Sequence, residues 1–202
     1  MNDVTPDFAK GDGLLPAIVQ HAQSGEVLML GYMDEAALAK TRASGLVTFF
    51  SRSKQRLWTK GETSGDSLAL VDIRLDCDAD TFLVRALPAG PTCHTGTSSC
   101  FGDDVKPTLG FLAELDALVA SRHAERPDGS YTTTLFDGGI RRMAQKVGEE
   151  GVETALAAVA EGDDALIGEA ADLVFHLMVV LRARGIGFDA VAEKLAARHA
   201  GS

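Results

Sequence analysis

The sequence predicts two domains of different class: an α+β, β-rich N-terminal domain over residues 1–105 and an all-α helical bundle over residues 106–202. Three observations predict it. The hydrophobic period changes from about 2 to about 3.6 near residue 108. A polar stretch ending in a proline, residues 102–107, comes just before the change. The side chains that carry chemistry divide at the same place, with cysteines and clustered aspartates before it and paired acidic residues at helical spacing after it.

Residues 14–20 and 26–32 are apolar runs flanking Ser24-Gly25 and read as strands. Residues 34–43 read as a short helix with Asp34 as its N-cap. The strand pattern continues through 47–51, 56–60, 68–76 and 81–87, and Pro88, Gly90 and Pro91 mark a turn. From residue 108 onward Leu109, Leu112, Leu115, Leu118 and Val119 recur at helical spacing. The same holds across 135–160, 164–183 and 188–198, with 126–131 read as a loop. No internal repeat or low-complexity tract is visible.

At 202 residues and 46% hydrophobic content the chain can build real cores. Its formal charge is −10, with nine basic and fourteen acidic residues in 1–105 and ten and fifteen in 106–202. Neither half is a basic nucleic-acid face, so no nucleic-acid partner is expected. An acidic protein that handles phosphates needs bound cations to offset repulsion, which favours divalent metals over lysine clusters. No apolar run approaches the ~18 residues that span a bilayer, and the start has neither a basic leader nor an apolar signal core, so no membrane association is expected. An odd number of cysteines without a signal points to reduced cytoplasm.

Those cysteines are Cys77, within DCDAD, and Cys93 and Cys100, which bracket CHTGTSSC. Three thiolates leave one tetrahedral position of Zn²⁺ for water or substrate, as in a catalytic site. The alternative is three buried or unpaired thiols. A strand through 76–80 would put Asp76, Asp78 and Asp80 on one face and Cys77 on the other, separating oxygen ligands suited to Mg²⁺ from sulfur. His94 is a candidate catalytic residue, with metal ligand, proton shuttle and polar filler all open to it. Upstream, Ser51, Arg52 and Ser53, then Trp58, Lys60, Gly61, Glu62 and Ser64, combine guanidinium, hydroxyl and glycine-exposed amide groups that hold a phosphate with an indole that stacks on a base or ribose. A solvated basic strand is the alternative for 51–56.

In the second half Glu150 and Glu153 are i,i+3 on one helix, and Glu169 and Asp172 are i,i+3 on the next. Both pairs are spaced symmetrically about position 161, so an antiparallel hairpin stacks Glu153 opposite Glu169 and Glu150 opposite Asp172. Four facing carboxylates repel unless cations sit between them, and divalent metal explains them more economically than two solvated helix faces.

The strings MLGYMDEAAL, VTFFSRSKQRLWTKGETSGD, DCDAD and CHTGTSSC together resemble phosphoribosyl-AMP cyclohydrolase of histidine biosynthesis over residues 10–104, departing chiefly at Asp66 and Phe50. The resemblance implies a homodimer in which Cys77 of one subunit and Cys93 and Cys100 of the other bind zinc, with Mg²⁺ on Asp76, Asp78 and Asp80. It further implies attack of a zinc-activated water on adenine C6 and opening of the N1–C6 bond. Residues 109–199 resemble the all-α pyrophosphohydrolases. SYTTTLF, Gly139, Arg141, Arg142 and QKVGEE look specifically like phosphoribosyl-ATP pyrophosphohydrolase. That resemblance implies Mg²⁺ on Glu150, Glu153, Glu169 and Asp172, Glu149 as an extra ligand or water-orienting base, and Arg141, Arg142 and Lys146 as phosphate contacts. His176, one turn after Asp172, reads as a packing or supporting residue. Together the two resemblances imply consecutive reactions on phosphoribosyl-ATP and phosphoribosyl-AMP. The rivals are a nucleotide house-cleaning pyrophosphohydrolase with an inactive zinc domain, and a zinc-dependent dimerisation module carrying a nucleotide-sensing helical domain.

Overall fold

The computed structural model describes residues 5–102 and 109–200. The chain divides into two compact units, Met1–Phe111 and Leu112–Ser202. The domain limit expected at 105/106 lies outside the described residues. The first unit is strand-rich and the second helical, as the change of period predicts.

The first unit opens with a 3₁₀ turn, Phe8–Gly11, followed by β1 (Leu15–His21) and β2 (Val27–Met33). Helix α1 (Glu35–Ser44) precedes the short strands β3 (Thr48–Ser51) and β4 (Arg56–Thr59), and then come β5 (Leu68–Leu75) and β6 (Phe82–Pro88). The main sheet has the order β2-β1-β6-β5. β1 runs antiparallel to β2 and parallel to β6, and β5 runs antiparallel to β6. Alternation decides which face is buried: Leu15, Ala17 and Val19 of β1 and Phe82, Val84 and Ala86 of β6 are shut off from solvent, joined by Ala37 and Leu38 of α1 and Phe49 of β3. Asp34 caps α1 by accepting from Ala37 N at 2.7 Å, as its position predicts.

The strand expected through 76–80 does not form. Residues 77–80 turn the chain between the antiparallel β5 and β6, with Ala79 in the left-handed region at φ 65°. The Asp76 carboxylate holds that turn by accepting from Asp80 N at 3.0 Å and Thr81 N at 3.2 Å.

The second unit contains most of α2 (Gly110–Glu125), then α3 (Tyr131–Asp137), α4 (Gly139–Ala160), α5 (Asp163–Ala183) and α6 (Asp189–His199). The single helix expected over 135–160 is two. Ser130 starts α3 early by accepting from Thr133 N, and Gly139 at φ 76° breaks the helical path before α4. Glu161 and Gly162 then reverse the chain, making α4 and α5 a helical hairpin. Val119, Leu135, Phe136, Met143 and Val179 form the buried cluster, and Arg182 of α5 reaches Asp116 of α2 at 2.8 Å.

Gly31 in β2 marks the tightest approach in the sheet core. A Cβ there would lie 2.3 Å from the ring of Phe49, which is only 2% exposed and has nowhere to go. Replacing Gly31 with Ala is expected to destabilise the N-terminal unit by about 1–3 kcal/mol, the usual cost of overpacking. Urea unfolding followed by Trp58 fluorescence checks it; an unchanged midpoint would contradict the close approach.

Candidate functional site

Two separate clusters of titratable groups stand out in the first unit and one in the second. The first lies in a cleft of about 420 Å³ lined by Trp58, Lys60, Gly61, Glu62 and Ser64 on one side and Cys93, His94 and Cys100 on the other. Local chemistry builds both walls. Gly61 takes φ 84° and presses against the Asp66–Ser67 backbone, where a Cβ would lie 2.5 Å from Ser67 N. Lys60, itself buried, donates to Asp66 O at 2.8 Å. Glu62 is held by Arg56 and by Thr59 N; the Arg56 hydrogen bond keeps its carboxyl below the usual range despite desolvation. Trp58 stacks on Phe49 with ring centroids 5.7 Å apart.

Ser51, Arg52 and Ser53 do not line this cleft. They sit at the tip of the β3–β4 hairpin, where Ser51 pairs with Arg56, whereas Trp58 lies toward the base, where Thr48 pairs with Thr59. The Arg52 guanidinium stacks 3.8 Å over the Tyr32 ring.

The opposite wall is a loop with two unlike thiols. Thr95 Oγ1 donates to Cys93 Sγ at 3.0 Å, and chiefly through that bond the thiol is pulled down to a pKa of about 6. Burial pushes the Cys100 thiol the other way, as does the neighbouring Cys93. His94 Nδ1 stands 3.8 Å from Cys93 Sγ. Thr95, two positions after Cys93, is a contributor that residue spacing alone did not single out. So is Thr92, whose buried hydroxyl lines the cleft without a hydrogen-bond partner among the described residues.

Cys77 does not join them. It is exposed in the turn at the start of β6, while the Cys93–Cys100 loop follows its end, and seven residues of extended strand span ~20 Å. The same turn gathers Asp76, Asp78 and Asp80, with one carboxylate oxygen of each within 4.8 Å of the others. Desolvation raises the Asp76 carboxyl, but the N–H groups of Thr81 and Asp80 outweigh it and hold it low. Lys10, from the 3₁₀ turn, lies against this cluster, its Nζ 2.6 Å from Asp78 O, 3.0 Å from Asp78 Oδ2 and 3.9 Å from Asp80 Oδ2.

In the second unit Glu150, Glu169 and Asp172 bring one ligand oxygen each within 4.8 Å of the others across the α4–α5 hairpin. Lys146 Nζ is 2.6 Å from Glu150 Oε1 and 3.0 Å from Glu149 Oε2. That lysine lowers both carboxyls and is itself raised by them. Glu149 also accepts from Gln145 Nε2 at 2.6 Å. Glu153 goes up, by desolvation first and then by the charges of Glu150 and Glu169, so it too stands within their field. His176 Nε2 lies 3.6 Å from Glu150 Oε1, and burial lowers its pKa. Arg141 and Arg142 are exposed near the start of α4.

Each set suits a cation of different type: thiolates for zinc, and hard carboxylate oxygens for Mg²⁺. A cation is already drawn to both carboxylate clusters in the form of a lysine ammonium.

A family model described as phosphoribosyl-AMP cyclohydrolase matches residues 29–102, and one described as phosphoribosyl-ATP pyrophosphohydrolase matches residues 112–199. Among curated proteins, a histidine biosynthesis bifunctional protein HisIE of Xanthomonas campestris is 64% identical over 195 residues, covering 96% of this chain and 92% of that protein. The HisIE proteins of Xylella fastidiosa (Temecula1) and Escherichia coli K12 are 63% and 59% identical over 193 residues, covering 96% of this chain and 92% and 95% of theirs.

The Cys93 environment predicts a pH dependence. In metal-stripped protein the thiolate dominates above about pH 6 and is lost below it, so alkylation of Cys93 should rise through a midpoint near 6. Thr95→Ala removes the largest cause and should move the midpoint up toward that of an ordinary thiol. Iodoacetamide labelling with peptide mass mapping reads both; a midpoint above 8 in the wild type would contradict the donated bond.

Proposed function

The chain belongs to the bifunctional histidine-biosynthesis family that joins a phosphoribosyl-AMP cyclohydrolase to a phosphoribosyl-ATP pyrophosphohydrolase, and from that premise we propose how its residues divide the work. The protein is a bifunctional hydrolase. One activity adds water to phosphoribosyl-ATP, giving phosphoribosyl-AMP and pyrophosphate. The other adds water at adenine C6 of that product, and the N1–C6 bond breaks to give the formimino-imidazolecarboxamide ribonucleotide.

Ring opening belongs to the cleft of the first unit. The observation that carries this assignment is that one cleft brings the Trp58–Ser64 segment to the Cys93–Cys100 loop. Cys93 and Cys100, completed by Cys77 of a second copy, hold zinc, which when bound supplies Lewis acidity that brings the pKa of water toward neutrality. Lys60, the Gly61 amide and Ser64 hold the phosphate, Trp58 contacts base or ribose, and a polar substrate atom gives the Thr92 hydroxyl its partner. His94, at the rim beside Cys93, moves the proton. Asp76, Asp78 and Asp80 hold Mg²⁺ once Lys10 gives way. Ser51, Arg52 and Ser53, turned away from their own cleft, reach substrate only if a second copy presents them.

Pyrophosphate release belongs to the α4–α5 hairpin. Glu150, Glu153, Glu169 and Asp172 hold Mg²⁺, which when bound neutralises the phosphate oxygens. Glu149, fixed by Gln145, orients the attacking water. Lys146 passes from the carboxylates to a phosphate, with Arg141 and Arg142 at the open end of the helix.

A homodimer is supported by two features. The ~20 Å between the ends of β6 keeps Cys77 from its partners within one chain. An exposed apolar stripe, Val152, Leu156 and Val159 on α4 with Ile167 on α5, leaves the hairpin with a face to cover. The three thiols are free, which suits the reducing cytoplasm, and among the described residues no helix is long and apolar enough to cross a membrane.

Two outcomes test this division. Glu150→Gln keeps side-chain size but loses the charge that binds Mg²⁺, so pyrophosphate release should fall by at least about a hundredfold while ring opening of supplied phosphoribosyl-AMP stays near wild type. Parallel loss of both activities in folded protein would refute the assignment to separate sites. Cys77→Ser and Cys93→Ser chains should each fail at ring opening, yet random mixing should restore roughly a quarter of wild-type activity, because half the dimers are mixed and one of their two sites is whole. No recovery after verified exchange would put all three thiols in one chain.

A further inference from the structure

We propose that Glu26 is a positioning residue for Cys100: its buried carboxylate sets the register in which the loop presents that thiol beside Cys93. The proposal rests on the reading of Cys93 and Cys100 as zinc ligands.

Glu26 lies in the turn between β1 and β2 and is only 2% exposed. A carboxylate taken out of water is costly, and a site that needed only packing would be served better by an apolar side chain. What it touches gives the reason. Ser98 Oγ donates to Glu26 Oε1 at 2.8 Å, across 72 residues of sequence. The next loop residue repeats the offset, with Ser99 Oγ donating to Val27 O at 2.7 Å. So does the one after it, with Cys100 N donating to Leu28 O at 2.8 Å. The loop therefore runs along the free edge of β2 in a constant register: 98 on 26, 99 on 27 and 100 on 28.

The first rung is the one made between two side chains. Glu26 is well placed to fix it, because its own backbone is held on both sides: His21 N donates to Glu26 O at 2.7 Å and Glu26 N donates to Ser24 Oγ at 3.3 Å. The Cys93 half of the loop closes on itself by contrast, through Cys93 N to Thr97 O and Gly96 N to Cys93 O, both 3.1 Å. Thr97 Oγ1, donating to Ser99 O at 2.8 Å, links the two halves. A slip at Ser98 would leave the Cys93 turn intact and carry Cys100 away from it.

The test is zinc affinity, measured by competition with a chromophoric chelator on metal-stripped, folded protein. Ser98→Ala and Glu26→Ala should each weaken binding about tenfold or more, as loss of support to a ligand does. The double variant should lose less than the sum of the two single losses, since both remove the same Ser98–Glu26 hydrogen bond. Glu26→Gln keeps an acceptor for Ser98 and should stay near wild type, whereas a role for bulk alone would not distinguish it from other substitutions of similar size. Ser98→Ala, a small change on the loop, keeps the test available if Glu26→Ala does not fold. Wild-type affinity in Ser98→Ala, or single losses that add in the double variant, overturns the proposal. Cys100→Ser is measured alongside: undiminished affinity there removes the zinc reading itself, while lost affinity there with wild-type affinity in Ser98→Ala removes only the role of Glu26.

Discussion

Carboxylates brought within a few ångström of one another cannot all remain ionised unless positive charge sits among them, and both acidic clusters of this protein obey that constraint. In each, a lysine from a different turn of chain or helix already lies against the oxygens: Lys10 on Asp78 and Asp80, and Lys146 on Glu149 and Glu150. The ammonium is a point charge on a flexible stem, able to neutralise the cluster and then withdraw. With acidic residues outnumbering basic ones 29 to 19, the hairpin and the β5–β6 turn each carry a lysine as a built-in counter-ion. Glu153, raised by desolvation and by its acidic neighbours, marks where that neutralisation is incomplete.

The sheet adds a constraint of distance. Parallel pairing of β1 with β6 places the turn before β6 at one end of the sheet and the cysteine loop at the other. Cys77, exposed in that turn, lies outside the cleft that Cys93 and Cys100 line. The loop is fastened along β2 at the same end as the Lys60–Ser64 turn, so the substrate cleft and two of the thiols share one set of supports.

Element types were legible wherever one face of a strand or helix is buried, because burial imposes a period on the sequence. Asp34, the α1 limits and the α4–α5 reversal about position 161 follow from such signals. Alternation misled at Asp76, Asp78 and Asp80, which alternate as a strand would; the side chains meet because Asp76 closes a turn on backbone N–H groups and Ala79 takes a left-handed conformation. Gly139 hid a helix break inside a continuous apolar pattern. In the cleft, the run from Ser51 to Ser64 looks like one binding segment, but a hairpin sends residues 51–53 to its far tip. Lys10 carries no periodic or motif signal, since it acts through a contact with Asp78 that exists only once distant segments have met; Thr95 sits inside CHTGTSSC, but a threonine there does not announce that its hydroxyl turns back onto Cys93.

The constant 72-residue offset between the cysteine loop and β2 also governs when the first unit can close during synthesis. β1 leaves the ribosome long before β6, its parallel partner, and the edge of β2 waits longer still for Ser98 to Cys100. At roughly 5–20 residues per second the delay is several seconds, with β1 and β2 exposed meanwhile as an unpaired hairpin. The α4–α5 hairpin, whose contacts are local, closes almost as soon as it emerges. The chain thus makes its slow, nonlocal half first and its fast half last, and the interval in which β1 and β2 wait for their partners falls while the rest of the first unit is being translated.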